Sequence, residues 1–242
     1  MKKNNLLFLL FGGAVAVFLF KKYNASPKKT ANMTTEQKNN ANLIVSALKK
    51  FGVANKAIQA AILATISKES NFIPQSENLK YSVAAIKRVW PKTSDADAAR
   101  LANNPEALGN FKYGGKYGNL PNEGFKYRGR GFNQITFKDL YSKYGKMIGR
   151  DLVTYPDLLN DPKVAADAAA AYFSSELTAG LKAGSFKKFN VTDLAAIKDT
   201  ATATKVAIQI NAGRGTDFNN AVVQEGYNKA KGVVDSLYTM IA

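Results

Sequence analysis

The 242-residue sequence contains no cysteine and no histidine. Without cysteine there is no disulfide, no thiol nucleophile and no thiolate metal site. The redox compartment stays open, because many extracytoplasmic proteins also lack cysteine. Without histidine, the commonest general base and the commonest metal ligand are missing. Acid–base chemistry near neutral pH then falls to carboxylates, tyrosine or lysine. No Gly-rich phosphate loop of Walker type and no metal-ligand cluster is visible, so no cofactor is expected. Acidic residues are scarce: 18 Asp and Glu against 34 Lys and Arg leave a net charge of +16. The first thirty residues hold no acid. Their six lysines (Lys2, Lys3, Lys21, Lys22, Lys28, Lys29) account for +6, leaving +10 for the remainder. A surface this basic suits a polyanion such as nucleic acid, anionic lipid or a bacterial wall. Charge alone does not choose among them.

What the sequence does have begins with LLFLLFGGAVAVFLF, an uncharged apolar run from Leu6 to Phe20. A helix of that length rises about 22 Å, short of the roughly 30 Å hydrocarbon core, and Asn4, Asn5 and snorkelling lysines extend it. Lys21 and Lys22 close the run as a stop-transfer signal would. The expectation is an uncleaved hydrophobic helix over residues 1–22, meeting a membrane through residues 5–22. A cleaved signal peptide shares the basic start and short apolar centre and is the rival reading. A buried core helix fits less well, because the run carries no polar stripe. Lysines at both ends give no orientation. A segment rich in Lys, Asn, Thr and Ser follows, with flexible-linker composition, set at residues 23–40. Residues 41–242 then suffice for one domain with a sizeable core.

Helix signals dominate that domain. Thr34 and Gln37 form a capping-box pattern ahead of Ile44, Val45, Leu48 and Phe51, which share a helical face. Ala57 to Ser70 is apolar nearly all round and reads as a buried central helix. Ser82 starts a short helix that ends at Trp90–Pro91, and Ser94 with Asp97 caps another. Pro162 opens a long Ala-rich helix reaching about Leu177. Thr202–Ile210 and Asp217–Met240 supply the last two.

One stretch departs from this pattern. Gly109 to Gly131 holds seven of the 18 glycines, with Tyr113, Tyr117 and Tyr127 among or beside them. Glycine at that density marks turns and close backbone approach. A short β-hairpin is expected over Tyr127–Thr136. Flat aromatics beside amides suit carbohydrate, which makes Tyr113 and Tyr127 candidate sugar contacts. Trp90 before Pro91 reads as a packing residue, Arg128 and Arg130 as braces of their own loop, and Glu123 as a surface turn residue.

Glu69 ends the apolar helix, in ILATISKESNF. Dry surroundings and the negative end of the helix dipole both disfavour a charged carboxylate there, which suits a proton donor. A lone glutamate at a helix end is nevertheless most often a solvated residue, so context decides. Eight residues on, across a turn containing Pro74, comes Glu77 in SENLKYS. Two carboxylates flanking a short loop can face one cleft, and glycoside hydrolysis needs such a pair. Asn71, Gln75 and Asn78 offer amides to sugar hydroxyls.

The runs KESNF, SENLKYS, YGGKYGN, YRGRGFNQIT and INAG follow one another in that order. The series resembles the motifs of glycoside hydrolase family 19, particularly its bacterial and phage endolysin branch, over roughly Ala57 to Gly215. The resemblance implies a role for each matching position. Glu69 matches the general acid, and Glu77 the carboxylate that activates water. Thr136 matches a hydroxyl holding that water. Tyr127 and Gln134 match residues lining the sugar cleft, and Asn211 one that contacts sugar or orients the site. The chain departs from the family pattern at Lys68 (usually His), Asn71 (usually Gly), Lys80 (usually Asn) and Lys116 (usually Arg). An ammonium on Glu69 would favour its charged form, but adjacent helical residues point apart, so no Lys68–Glu69 contact is expected.

The resemblance implies a mainly α, lysozyme-like domain of two helical lobes with a cleft between them and a small β-hairpin. The expected activity is hydrolysis of the β-1,4 link in peptidoglycan glycan strands, with inversion. Rival readings are a lytic transglycosylase, an inactive wall-binding or virion protein, and, less well supported, a chitinase. No nucleic-acid partner is expected, because the lysines are spread along the chain and not clustered with aromatics. The expected location is a membrane, with the domain facing the wall, in a bacterial envelope or a phage particle.

Overall fold

A computed structural model describes residues 30–241. The expected hydrophobic helix over residues 1–22 and the first part of the linker lie outside the described residues. Among the described residues, no helix is long and apolar enough to cross a membrane.

The first helix, α1 (Thr35–Lys50), begins where the capping box predicts. Gln37 N donates to Thr34 Oγ1 at 3.2 Å, and Thr34 N donates to Gln37 Oε1 at 2.9 Å. Two orphan N–H groups are thereby satisfied, and the helix starts inside the segment that composition alone assigned to a linker. Residues 35–40 are therefore helical.

Helix α2 (Lys56–Ser70) is the central element. Ile58, Ile62, Leu63 and Ile66 are fully buried, each contributing about 1.5–3 kcal/mol of transfer free energy. Short side chains (Ala57, Ala60, Ala61, Ala64) let neighbours approach on its other sides. It packs against four helices: α1, α8 (Thr200–Ala212), α9 (Ala221–Lys231) and α10 (Val234–Met240). The long Ala-rich α7 (Pro162–Lys182) covers α1 and α6 (Lys138–Ile148), and also touches α8. It runs five residues past the expected end at Leu177. The single helix expected over 217–240 is two, broken at Gly232 and Val233.

A second, smaller core gathers Leu79, Ile86, Trp90, Leu101, Leu108, Tyr113 and Phe137. Its helices are α3 (Val83–Val89), α4 (Asp95–Leu101) and α5 (Pro105–Tyr113). Ser82 and Ser94 cap the first two as predicted, donated to by Ala85 N and Asp97 N. Helices α5 and α6 were not expected from the sequence. Two hydrophobic cores in one chain accord with two helical lobes.

The expected β-hairpin is absent: the described residues contain only an isolated antiparallel bridge between Arg130 and Ile135. The carbonyls a ladder would need are taken elsewhere. Gly129 O accepts from Glu77 N, and Arg128 O from the Tyr141 hydroxyl. Gly131 and Gln134, both at positive φ, turn the chain between the bridge partners. Glycine is required upstream for a different reason: a Cβ at Gly114 would lie 2.2 Å from Pro121 O, and one at Gly124 2.3 Å from Gly109 O. The backbone folds back on itself there with no room for a side chain.

Candidate active site

Glu69 occupies the last turn of α2. The helix closes at Asn71, whose φ of 52° is left-handed, and Phe72 follows at 61°. Asparagine tolerates that conformation better than other non-glycine residues, which accounts for Asn71 where the family usually has glycine. Both strained residues are held from α1. Gln37 Nε2 donates to Asn71 O at 3.0 Å, and Asn40 Nδ2 to Phe72 O at 2.8 Å. Phe72 is fully buried, so the exit of the Glu69 helix is fixed by two amides and a core side chain. Gln37 was expected only as the cap partner of Thr34, and Asn40 was not expected at the site. Their only signal is that two amides three residues apart share the buried face of α1.

Two donors meet on Glu69 Oε1. Asn211 Nδ2, from the end of α8, donates at 3.0 Å. The Lys68 ammonium forms an ion pair with the same oxygen, contrary to the expectation that adjacent helical side chains would part. Lysine has the reach to fold back along the helix surface, and both side chains are largely withdrawn from solvent, at 9% and 13% exposure. The surroundings of Glu69 are thus polar and cationic on one side, not uniformly dry.

The end of α8 that carries Asn211 is anchored through its neighbours. Tyr172 Oη donates to Ile210 O at 3.1 Å. Past the helix end, Gln209 Nε2 donates to Gly213 O and Thr216 O, each at 2.9 Å. Arg214 pairs with Glu176 of α7 at 2.9 Å.

Glu77 is fixed from the smaller lobe. The Tyr113 hydroxyl, at the end of α5, donates across both carboxylate oxygens, at 3.2 and 3.0 Å. Burial and the adjacent Glu77 charge push that hydroxyl well above its ordinary value of 10, so it remains a donor throughout the working range. The Tyr113 ring packs edge-on against Phe137 at 5.6 Å. Tyr113 therefore supports a carboxylate from within the core and offers no exposed face to sugar.

The loop from Tyr127 to Thr136 grips the segment that carries Glu77. Glu77 N donates to Gly129 O at 2.7 Å, and Gln134 Nε2 donates to Gln75 O at 2.9 Å. Arg128 Nε reaches Glu77 O at 3.3 Å, and Ser76 Oγ exchanges hydrogen bonds with the Asn160 amide. The arginines brace the loop, as expected. Arg130, almost fully buried, donates to Lys126 O at 2.6 Å, Tyr141 Oη at 2.9 Å and Asp157 at 2.8 Å. Thr136 lies at the foot of this loop, its hydroxyl donating to Gln134 O at 3.0 Å. Tyr127 has no exposed surface; its hydroxyl donates to Val153 O at 3.1 Å. It supports the loop from beneath and does not line a cleft. Asn78 is exposed beside Glu77, and its Oδ1 accepts from Lys80 N at 2.9 Å. Trp90 is buried, with the Lys112 ammonium 4.4 Å from its ring centre. Glu123 pairs with Lys138 at 3.1 Å, and its side chain is half-buried where a surface residue was expected.

Two carboxylates are thus held separately, one by an amide and an ammonium of the larger lobe, the other by a buried phenol of the smaller. No group of His, Cys, Asp and Glu suited to a metal ion occurs among the described residues. Residues 102–206 match the family model described as chitinase class I, that of glycoside hydrolase family 19. A glycosyl hydrolase family 19 domain-containing protein of Haemophilus influenzae is 37% identical over 115 residues. That match spans 45% of this chain and 58% of the relative's length. This region of the chain is thus similar to glycoside hydrolase family 19. The matched residues include Tyr113, Tyr127, Gln134 and Thr136. Glu69, Glu77 and Asn211 lie outside 102–206, so their roles rest on the motif resemblance and on the contacts described above.

Proposed function

We propose that this chain hydrolyses the β-1,4 glycosidic link of peptidoglycan with inversion, Glu69 serving as acid and Glu77 as base. The observation that carries the reading is that each carboxylate has its own dedicated holder. Asn211 and Lys68 fix Glu69, and Tyr113 spans both oxygens of Glu77. Glu69 gives its proton to the glycosidic oxygen as the C–O bond breaks. Glu77 takes a proton from water as that water's oxygen bonds to the anomeric carbon from the opposite face. The cycle leaves Glu69 ionised and Glu77 protonated, and solvent restores both. Thr136 and Gln134 stand on the loop that grips the Glu77 segment, where a hydroxyl and an amide could steady water and sugar. Peptidoglycan is preferred over chitin because the motif order resembles the endolysin branch and the net charge of +16 suits an anionic wall. The apolar run at 6–20 anchors the chain in a membrane, with the domain facing the wall, in a bacterial envelope or a phage particle.

The test is mass spectrometry of muropeptides released from purified wall by the wild type, Glu69→Gln and Glu77→Gln. Reducing ends from the wild type, with both variants folded but slowed by at least about 10²–10⁴-fold, are expected. Anhydro ends, with Glu77→Gln still active, would replace the hydrolase with a transglycosylase, because the sugar's own 6-hydroxyl then attacks and no base is needed. No release by any form would leave a wall-binding protein.

A further inference from the structure

Lys68 stands where the family usually has histidine, and the geometry points to a specific task for it. Its ammonium and the Asn211 amide both take Oε1 of Glu69. The aliphatic stem of Lys68 lies against α9, where a Cβ on Gly226 would sit 3.7 Å from Lys68 Cε and 3.9 Å from Cδ. Gly226 is buried, so the stem has a seat with no side chain to lift it. The ammonium is thereby delivered to the carboxyl group from one side. Asn211 arrives from α8, whose end is pinned by Tyr172, Gln209 and Arg214. Two donors from two directions remove the rotational freedom of a carboxyl group that would otherwise turn about its last torsion, which is broad and two-fold.

We propose that Lys68 is a positioning residue that, with Asn211, commits Oε1 to the protein and assigns Oε2 as the oxygen that carries the proton to the substrate. The assignment rests on Glu69 being the acid. A histidine there could donate one N–H, but its ring is shorter than the lysine chain that crosses to α9. A Cβ at 226 would meet the stem only at ordinary contact distance, so alanine fits the seat and valine, which branches at that carbon, is the substitution that crowds the ammonium without altering any charge.

The experiment compares wild type, Lys68→Met, Lys68→Arg, Gly226→Val and Glu69→Gln. Each is assayed for kcat and KM by reducing-end release from purified peptidoglycan and from a soluble chitin hexamer. Crystal structures of wild type and Lys68→Met are determined in parallel. Methionine keeps the stem and removes the charge. The expected result for Lys68→Met is kcat lower by about 10- to 100-fold with KM within about twofold, because misplacing a reacting group slows the step without weakening ground-state binding. Its melting temperature should stay close to wild type. Its crystal structure should show the Glu69 carboxyl rotated off Asn211. Lys68→Arg should recover most of the rate, and Gly226→Val should mimic Lys68→Met. Unchanged kcat in Lys68→Met, with the Glu69 carboxyl still on Asn211, overturns the proposal. So does a rise in kcat, which would mean that the ammonium withholds the proton from the acid. A loss that follows melting temperature, without rescue by arginine, also overturns it, because the role is then structural. Wild-type activity in Glu69→Gln would instead remove the acid assignment itself. Should neither substrate be cleaved, the carboxyl orientation in the two crystal structures decides.

Discussion

The Tyr113 hydroxyl is the most informative single group to remove. Tyr113→Phe keeps a ring that is 2% exposed and packed on Phe137, so no cavity larger than one oxygen opens. What disappears is a donor lying 3.2 and 3.0 Å from the two oxygens of Glu77. A hydrogen bond to a charged group contributes about 1.5–3 kcal/mol. Glu77 is only half-buried, so water can take up part of the lost bond, and a cost of about 1–2 kcal/mol is expected. For a domain of this size that lowers the melting temperature by about 2–8 °C. The effect on catalysis should be larger in proportion. A base that is free to swing loses alignment with its water, and kcat should fall about 10- to 100-fold with little change in KM. Thermal unfolding and reducing-end release from purified wall measure the two effects. If Tyr113→Phe loses stability but keeps the wild-type rate, Tyr113 supports the small lobe and not the chemistry. If both are unchanged, the hydrogen bond has no consequence and the reasoning fails.

Arg130→Gln should be the more damaging change to the fold, costing about 2–4 kcal/mol, because it strips partners from Lys126 O and Tyr141 Oη inside the buried loop; a thermal melt indistinguishable from wild type would contradict it. Burial pushes the Lys112 ammonium down to about 8, with Lys116 adding repulsion. The unfolded chain therefore holds more protons than the folded one between about pH 8 and 10.5, and stability should rise with pH across that window. Lys112→Met should abolish that rise in denaturant titrations. At pH 7 it should stabilise by about 1 kcal/mol, once partial exposure and the lost contact with Trp90 are set against the relief. The full chain should partition with membranes and resist carbonate extraction, whereas a protein beginning at Thr34 should not; a mature protein beginning near Ala25 would identify a cleaved signal peptide instead.

The sequence by itself determined the local structure. The capping box at Thr34, the serine caps at Ser82 and Ser94 and the proline that opens α7 each depend on side chains two or three residues from the backbone they satisfy. The buried central helix and the ordered motifs that resemble glycoside hydrolase family 19 were legible in the same local way. The sequence did not determine which neighbour each functional side chain would meet. Tyr127 and Tyr113 read alike as aromatics beside glycine and amides, yet one lies wholly in the core and the other carries Glu77, because α5 and the loop before α6 meet there. The Tyr127–Thr136 run reads as a hairpin from its turn residues. Tertiary contacts with Glu77 and Tyr141 claim its backbone groups, and a strand ladder cannot compete. Lys68 and Glu69 look divergent on an ideal helix. Only the arrival of Gly226 from α9 and Asn211 from α8, about 140 to 160 residues away, gives the ammonium and the carboxylate a common place to meet. A period or a cap is written within one turn of helix, whereas a catalytic contact depends on where distant segments are packed, and packing fixes that only once the whole core has formed.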